Sequence, residues 1–159
     1  MLEKLAQQLG FLLQKRKMLC AVAESCTGGS LAAVITSIPE SSTWFDRGFI
    51  TYSNEAKEEM LAVPHYTLAT YGAVSKETAR AMAEGALSAS HASITVAITG
   101  IAGPSGGSLE KPVGTVWIAW AGASQLTRAE LFTFTGDRTA IRRKSVEMAL
   151  RGLIHRCQI

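Results

Sequence analysis

The stretch Ala23-Glu24-Ser25-Cys26-Thr27-Gly28-Gly29 constrains the fold most. The apolar run Met18-Leu19-Cys20-Ala21-Val22-Ala23 leads into it, and Leu31-Ala32-Ala33-Val34-Ile35 leads out. That order reads as a buried strand, a tight polar turn and a helix. The turn places hydroxyls, a thiol and free backbone N–H groups at a helix start. Unpaired amides and the helix macrodipole favour negative charge there. The turn matches neither the Walker phosphate loop nor the dinucleotide fingerprint.

The rest of the chain continues the alternation. Leu5, Leu9, Leu12 and Leu13 fall on one helical face, which Gly10 weakens without interrupting. Lys15-Arg16-Lys17 fall in the last turn, where cations suit the dipole. Phe45 to Tyr52 is rich in aromatic and β-branched residues and reads as a strand. Asn54 is the expected N-cap of a short helix from Glu55 to about Leu61, ended by Val63-Pro64. Gly72-Ala73-Val74 leads to Ser75, the expected cap of a longer helix from Lys76 to about Ser88.

Ile94 to Thr99 reads as a strand running into a second glycine turn, Gly100 to Gly107. Val113 to Ala121 and Leu126 to Phe134, split by Gly122-Ala123-Ser124-Gln125, suggest a hairpin. Gly136-Asp137 introduces a last helix, Arg138 to His155. The expected fold is α/β: a single-domain layered sandwich, residues 1–159, with a mixed sheet and helices packed on it.

At 159 residues the chain is one domain in size, with 47% hydrophobic and 18% charged residues. No apolar run is long enough to span a bilayer, so no membrane partner is expected. Glu3, Lys4, Gln7 and Gln8 stand where a signal peptide would need apolar residues, which points to the cytoplasm. The net charge of +3, with one basic block at Arg142-Arg143-Lys144, argues against nucleic acid as a partner. Three cysteines and three histidines share no metal-ligand spacing, and neither metal nor cofactor is expected.

Several residues carry possible chemistry. In the first turn, Ser25 or Cys26 could be a nucleophile, the segment could hold a phosphate or oxyanion, or Ser and Thr could merely cap the helix. Two glycine turns that follow strands suit a ligand site at the carboxyl ends of the sheet. With Asn54 as cap, Lys57 takes the third helical position. The dipole opposes a cation there and lowers its pKa, and if Lys57 is also partly buried its neutral amine could act as a general base toward a serine. The alternative is an exposed Lys57 paired with a nearby acid. Tyr52 could donate a hydrogen bond or simply pack. Arg138 and Arg142 lie four apart on one helix face, a pairing that suits a phosphate, although Arg138 could instead pair with Asp137.

Five ordered motifs resemble one family. They are residues 23–29, then Gly48-Phe49-Ile50-Thr51-Tyr52-Ser53-Asn54-Glu55-Ala56-Lys57, Gly72-Ala73-Val74-Ser75, Thr99-Gly100-Ile101-Ala102-Gly103-Pro104 and Lys111-Pro112-Val113-Gly114-Thr115-Val116. Together they are similar to the CinA C-terminal domain family, the nicotinamide-nucleotide amidases of the PncC type. The resemblance implies hydrolysis of the carboxamide of nicotinamide mononucleotide to nicotinate mononucleotide and ammonia, a salvage step for pyridine nucleotides. It implies a compact α/β fold, no metal, and a homo-oligomer, dimeric or higher. Some members carry a separate N-terminal domain, which is absent from these residues.

For that reaction the expected catalytic set is Ser42 as nucleophile, Lys57 as base and Tyr52 as helper. Ser42 matches the second serine of the family's Gly-Ser-Ser element, and Ser25 is the other candidate. Otherwise Ser25 serves with Thr27, Gly28, Gly29, Thr99, Gly100, Ala102, Gly103, Arg138 and Arg142 to hold the substrate or its oxyanion. Two departures stand out: Glu40 where the family usually has Gly, and Ser105 where Asp is common. A nucleotide-binding regulatory module of the same fold, without the chemistry, is the alternative reading.

Overall fold

The computed structural model describes residues 1–159. In chain order the elements are α1 (Leu2–Arg16), β1 (Cys20–Glu24), α2 (Ser30–Thr36), a 3-10 turn (Ser41–Thr43), β2 (Phe45–Ile50), α3 (Asn54–Leu61), α4 (His65–Tyr71), α5 (Lys76–Ser88), β3 (Ile94–Gly100), β4 (Thr115–Gly122), β5 (Gln125–Thr133) and α6 (Arg138–Gln158). The five strands form one sheet in the order β2-β1-β3-β4-β5. β1 pairs in parallel with both β2 and β3, while β4 and β5 run antiparallel, joined by the expected hairpin. The sandwich with a mixed sheet is therefore present.

Side-chain size alternates along the strands and assigns the helices to their layers. One face carries Cys20, Val22, Ile94, Val96, Ile98, Val116, Ile118 and Trp120, packed under α1, α2 and α6. The opposite face carries Ala23, Ala97, Ala119 and Ala121, covered by α3, α4 and α5. Alanines let α5 approach closely enough for Thr95 Oγ1 to donate to the Ala83 carbonyl at 2.7 Å. Gly10, which weakens α1 by propensity, is required by packing. A Cβ there would come within 2.7 Å of the Trp44 indole.

Three local expectations change. Ser53, not Asn54, caps α3, accepting from the Ala56 N–H at 3.0 Å, so Lys57 is the fourth helical residue rather than the third. Helix α4 was not legible because Leu68 is its one buried residue, which leaves no apolar periodicity to read. The last helix extends to Gln158.

The topology locates the site. From β1 the chain passes through α2, on one face, to β2 on one side. It returns through α3, α4 and α5, on the other face, to β3 on the opposite side of β1. The carboxyl ends of β1 and β3 thus flank a topological switch point, where α/β sheets open a crevice.

Candidate active site

A cleft of about 280 Å³ lies at that switch point. Ser25 and Cys26 enter it from the end of β1. Thr99 and Gly100 enter from β3, followed by Ile101, Ala102 and Gly103 of the second glycine turn. Tyr52, Asn54 and Lys57 enter from α3 and the residues before it, and Arg138 from the first turn of α6.

Lys57 is the decisive residue. It is 1% exposed, yet it forms no ion pair with a carboxylate. Its Nζ donates to Ser25 Oγ at 3.1 Å and to the Thr51 carbonyl at 2.9 Å. Burial pushes its pKa below the ordinary lysine range, opposed by the neighbouring Cys26. Desolvation, the partial burial that a neutral lysine base requires, is therefore the main cause. Thr51 Oγ1 beside it is buried without a partner.

Glu24 shapes the turn from beneath. Its fully buried carboxylate accepts from the N–H groups of Gly29 at 3.2 Å, Leu31 at 3.0 Å and Ala32 at 2.9 Å. The start of α2 is thus already occupied by an anion belonging to the chain. This corrects the expectation that the turn offers those amides to a ligand. Thr27 is fully buried and Gly28 faces out, and neither they nor Gly29 line the cleft. The Cys26 N–H, by contrast, donates to no group of the chain.

The same local electrostatics bear on Cys26. Its thiol lines the cleft, but burial pushes its pKa up to about 11, so it is protonated at neutral pH. A thiolate nucleophile finds no support.

The two arginines diverge. Arg138 borders the cleft, donating to the Gly103 carbonyl at 2.7 Å and to the Tyr52 hydroxyl at 3.2 Å. Arg142 lies outside it and donates from Nη2 to the Thr27 carbonyl at 3.0 Å and to Ser30 Oγ at 3.3 Å. It braces the first turn from behind, so the guanidinium pair does not converge on one point. The turn before α5 contributes Ala73 and Val74 to the cleft, and Thr99 Oγ1 holds it by donating to the Ala73 carbonyl at 2.8 Å.

Ser42 is not brought to Lys57. It sits exposed in the 3-10 turn ahead of β2, while Lys57 lies beyond the other end of that strand. The six residues of β2 put about 20 Å between them. Ser42 precedes the strand and Lys57 follows it, so a Ser42–Lys57 pair would need the two ends of one extended strand to meet, which its rise of about 3.3 Å per residue prevents. Glu40, two residues before Ser42, adopts a left-handed φ of 66°, which explains why glycine suits that position. It is equally remote from the cleft. Ser105, the other departure, does line the cleft. Asn54, expected only as a cap, lines it too, and its place between Tyr52 and Lys57 in the motif was the available signal.

The protein is thus an α/β sandwich with a polar cleft at its switch point, where a strand-end serine is bonded to a buried lysine and an arginine stands at the border. The comparisons place it: the CinA C-terminal domain matches residues 2–157, and the chain belongs to that family. It is 53% identical over 154 residues to the nicotinamide-nucleotide amidohydrolase PncC of Escherichia coli K12, covering 96% of this chain and 92% of that one. It is 49% identical to the PncC of Pseudomonas putida, covering 94% and 93%. Among solved structures, the competence/damage inducible protein CihA of Agrobacterium tumefaciens superposes with a TM-score of 0.95 at 45% identity, over 97% of this chain and 94% of that one. No helix is long and apolar enough to cross a membrane.

Proposed function

We propose that this chain hydrolyses the carboxamide of nicotinamide mononucleotide, releasing nicotinate mononucleotide and ammonia. The observation that carries the reading is the 3.1 Å hydrogen bond between buried Lys57 Nζ and Ser25 Oγ inside the cleft. The names of the relatives supply the substrate class.

In this reading Ser25, not Ser42, is the nucleophile. Neutral Lys57 takes the Ser25 proton as Oγ bonds to the amide carbon. The Thr51 carbonyl holds the amine in line. The Cys26 N–H, one residue beyond the nucleophile, stabilises the oxyanion. Protonated Lys57 then gives its proton to the departing nitrogen, and ammonia leaves an acyl-serine. Water, deprotonated by Lys57, hydrolyses that ester and regenerates Ser25. Arg138, oriented by Gly103 and Tyr52, takes the phosphate, while Thr99, Gly100, Ala102 and Gly103 wall the ring and ribose.

Ammonia release from the mononucleotide tests the reading. Wild-type protein should turn over, and Ser25→Ala should lose at least about 10³-fold in kcat. Ser42→Ala should stay within about twofold, as expected of an exposed residue outside the site. No release above a Lys57→Met control would sink the activity, and loss in Ser42→Ala alone would sink the assignment of roles. The exposed leucines of the β5 edge also support a homo-oligomer.

A further inference from the structure

We propose that a second cleft, between β5 and α6, binds a small phosphate-bearing anion. It lies on the α6 face of the hairpin and shares no lining residue with the catalytic cleft. Its volume is about 240 Å³, room for roughly eight waters at about 30 Å³ each.

Arg156 carries the inference. It is 7% exposed, and no carboxylate lies within ion-pair distance of it. Its Nη2 donates to the Leu126 carbonyl at 2.8 Å, and its Nε is buried with no partner in the chain. A buried guanidinium without an anion is costly, since its hydration is lost and nothing replaces it.

Two further guanidinium groups border the same cleft. Arg128 comes from β5, opposite Trp120 across the hairpin, and Arg151 and His155 come from α6 one turn apart. The carboxylates nearby are paired with those two arginines, Glu130, which also lines the cleft, with Arg128, and Glu147 with Arg151 at 2.9 Å. Three guanidinium groups thus border one small cleft, and Arg156 is the one with no carboxylate partner. Forked guanidinium donors suit the oxygens of a phosphate. Met148 and Trp120 give the same cleft an apolar wall for a small organic substituent. Gly152 makes the close approach possible, because a Cβ there would run into the Trp120 indole.

This site is independent of the catalytic reading, and calorimetric titration separates the two. Inorganic phosphate and glycerol phosphate are titrated in chloride buffer at constant ionic strength into wild-type protein, Arg138→Ala and the double variant Arg128→Gln/Arg151→Gln. Arg156 is left intact because its side chain packs beneath β5. Binding that persists in Arg138→Ala and weakens at least about tenfold in the double variant supports the site. Tighter binding of glycerol phosphate points to a phosphate ester, and equal or weaker binding to the free ion. Identical titrations of wild type and the double variant would overturn the proposal, as would binding lost in Arg138→Ala alone. Ammonia release by the double variant should match wild type.

Discussion

At the scale of single residues, the proposed mechanism depends on a lysine whose pKa burial lowers. Read from the sequence, a neutral Lys57 rests on the dipole and on partial burial; the cap falls one residue earlier at Ser53, and burial is the main cause that lowers the pKa. No local motif encodes that burial. It arises only once the fold buries Lys57 beside Ser25 and the Thr51 carbonyl. The functional consequence has a definite sign. Below its lowered pKa, Lys57 is protonated and cannot accept the Ser25 proton. We therefore expect kcat/KM to rise about tenfold per pH unit on the acid side and to level off before ~10.4, the ordinary lysine value. Lys57→Arg, which keeps the charge but never loses its proton, should be inactive across the range. A pH–rate profile checks both, and a flat wild-type profile would remove Lys57 as base. Stability runs in the same direction. Between the lowered pKa and ~10.4 the unfolded chain binds more protons at this position, so the Lys57 contribution to stability increases with pH.

At the scale of elements, the strand–turn–helix unit was legible because its apolar runs have the right lengths and its turn is polar. Its purpose was not legible. Glu24 lies at the end of β1, and its carboxylate reaches forward to the amides of Gly29, Leu31 and Ala32. An acid followed by small residues at that spacing fits many turns, so the cap emerges only from three dimensions. The cap explains how a seven-residue helix, too short to persist alone, is held against the sheet. It also fixes the turn that presents Ser25 and the Cys26 N–H. Glu24→Gln keeps one acceptor oxygen, loses the charge and turns an NH₂ group toward a helix N-terminus. We expect a loss of about 1–3 kcal/mol in denaturant unfolding, with a fall in kcat larger than any change in KM. Unchanged kcat in a destabilised variant would show that the cap supports the fold without positioning the nucleophile.

At the scale of the whole molecule, alternation of helix and strand was enough to foresee a layered sandwich, and size alternation within the strands explains which layer goes where. Strand order was not legible, because pairing partners are chosen by layers that meet only after the chain has crossed the sheet twice. The order leaves β5 at one border, nine residues long, with Leu126 92% and Leu131 52% exposed. A long edge strand carrying exposed leucines is a template for another strand. The same edge carries Arg128 and Glu130 on either side of Ala129. An antiparallel pairing with a second copy about a two-fold axis at Ala129 would set Arg128 opposite Glu130 of that copy, a self-complementary arrangement that closes as a dimer. Light scattering should accordingly give about twice the 17.0 kDa chain mass. Leu131→Lys, which places a charge on that edge, should shift the protein toward the monomer with ammonia release intact, since the catalytic cleft lies at the β1–β3 switch point. A monomeric wild-type protein would exclude the pairing, and a dimer indifferent to Leu131→Lys would move the interface to another surface.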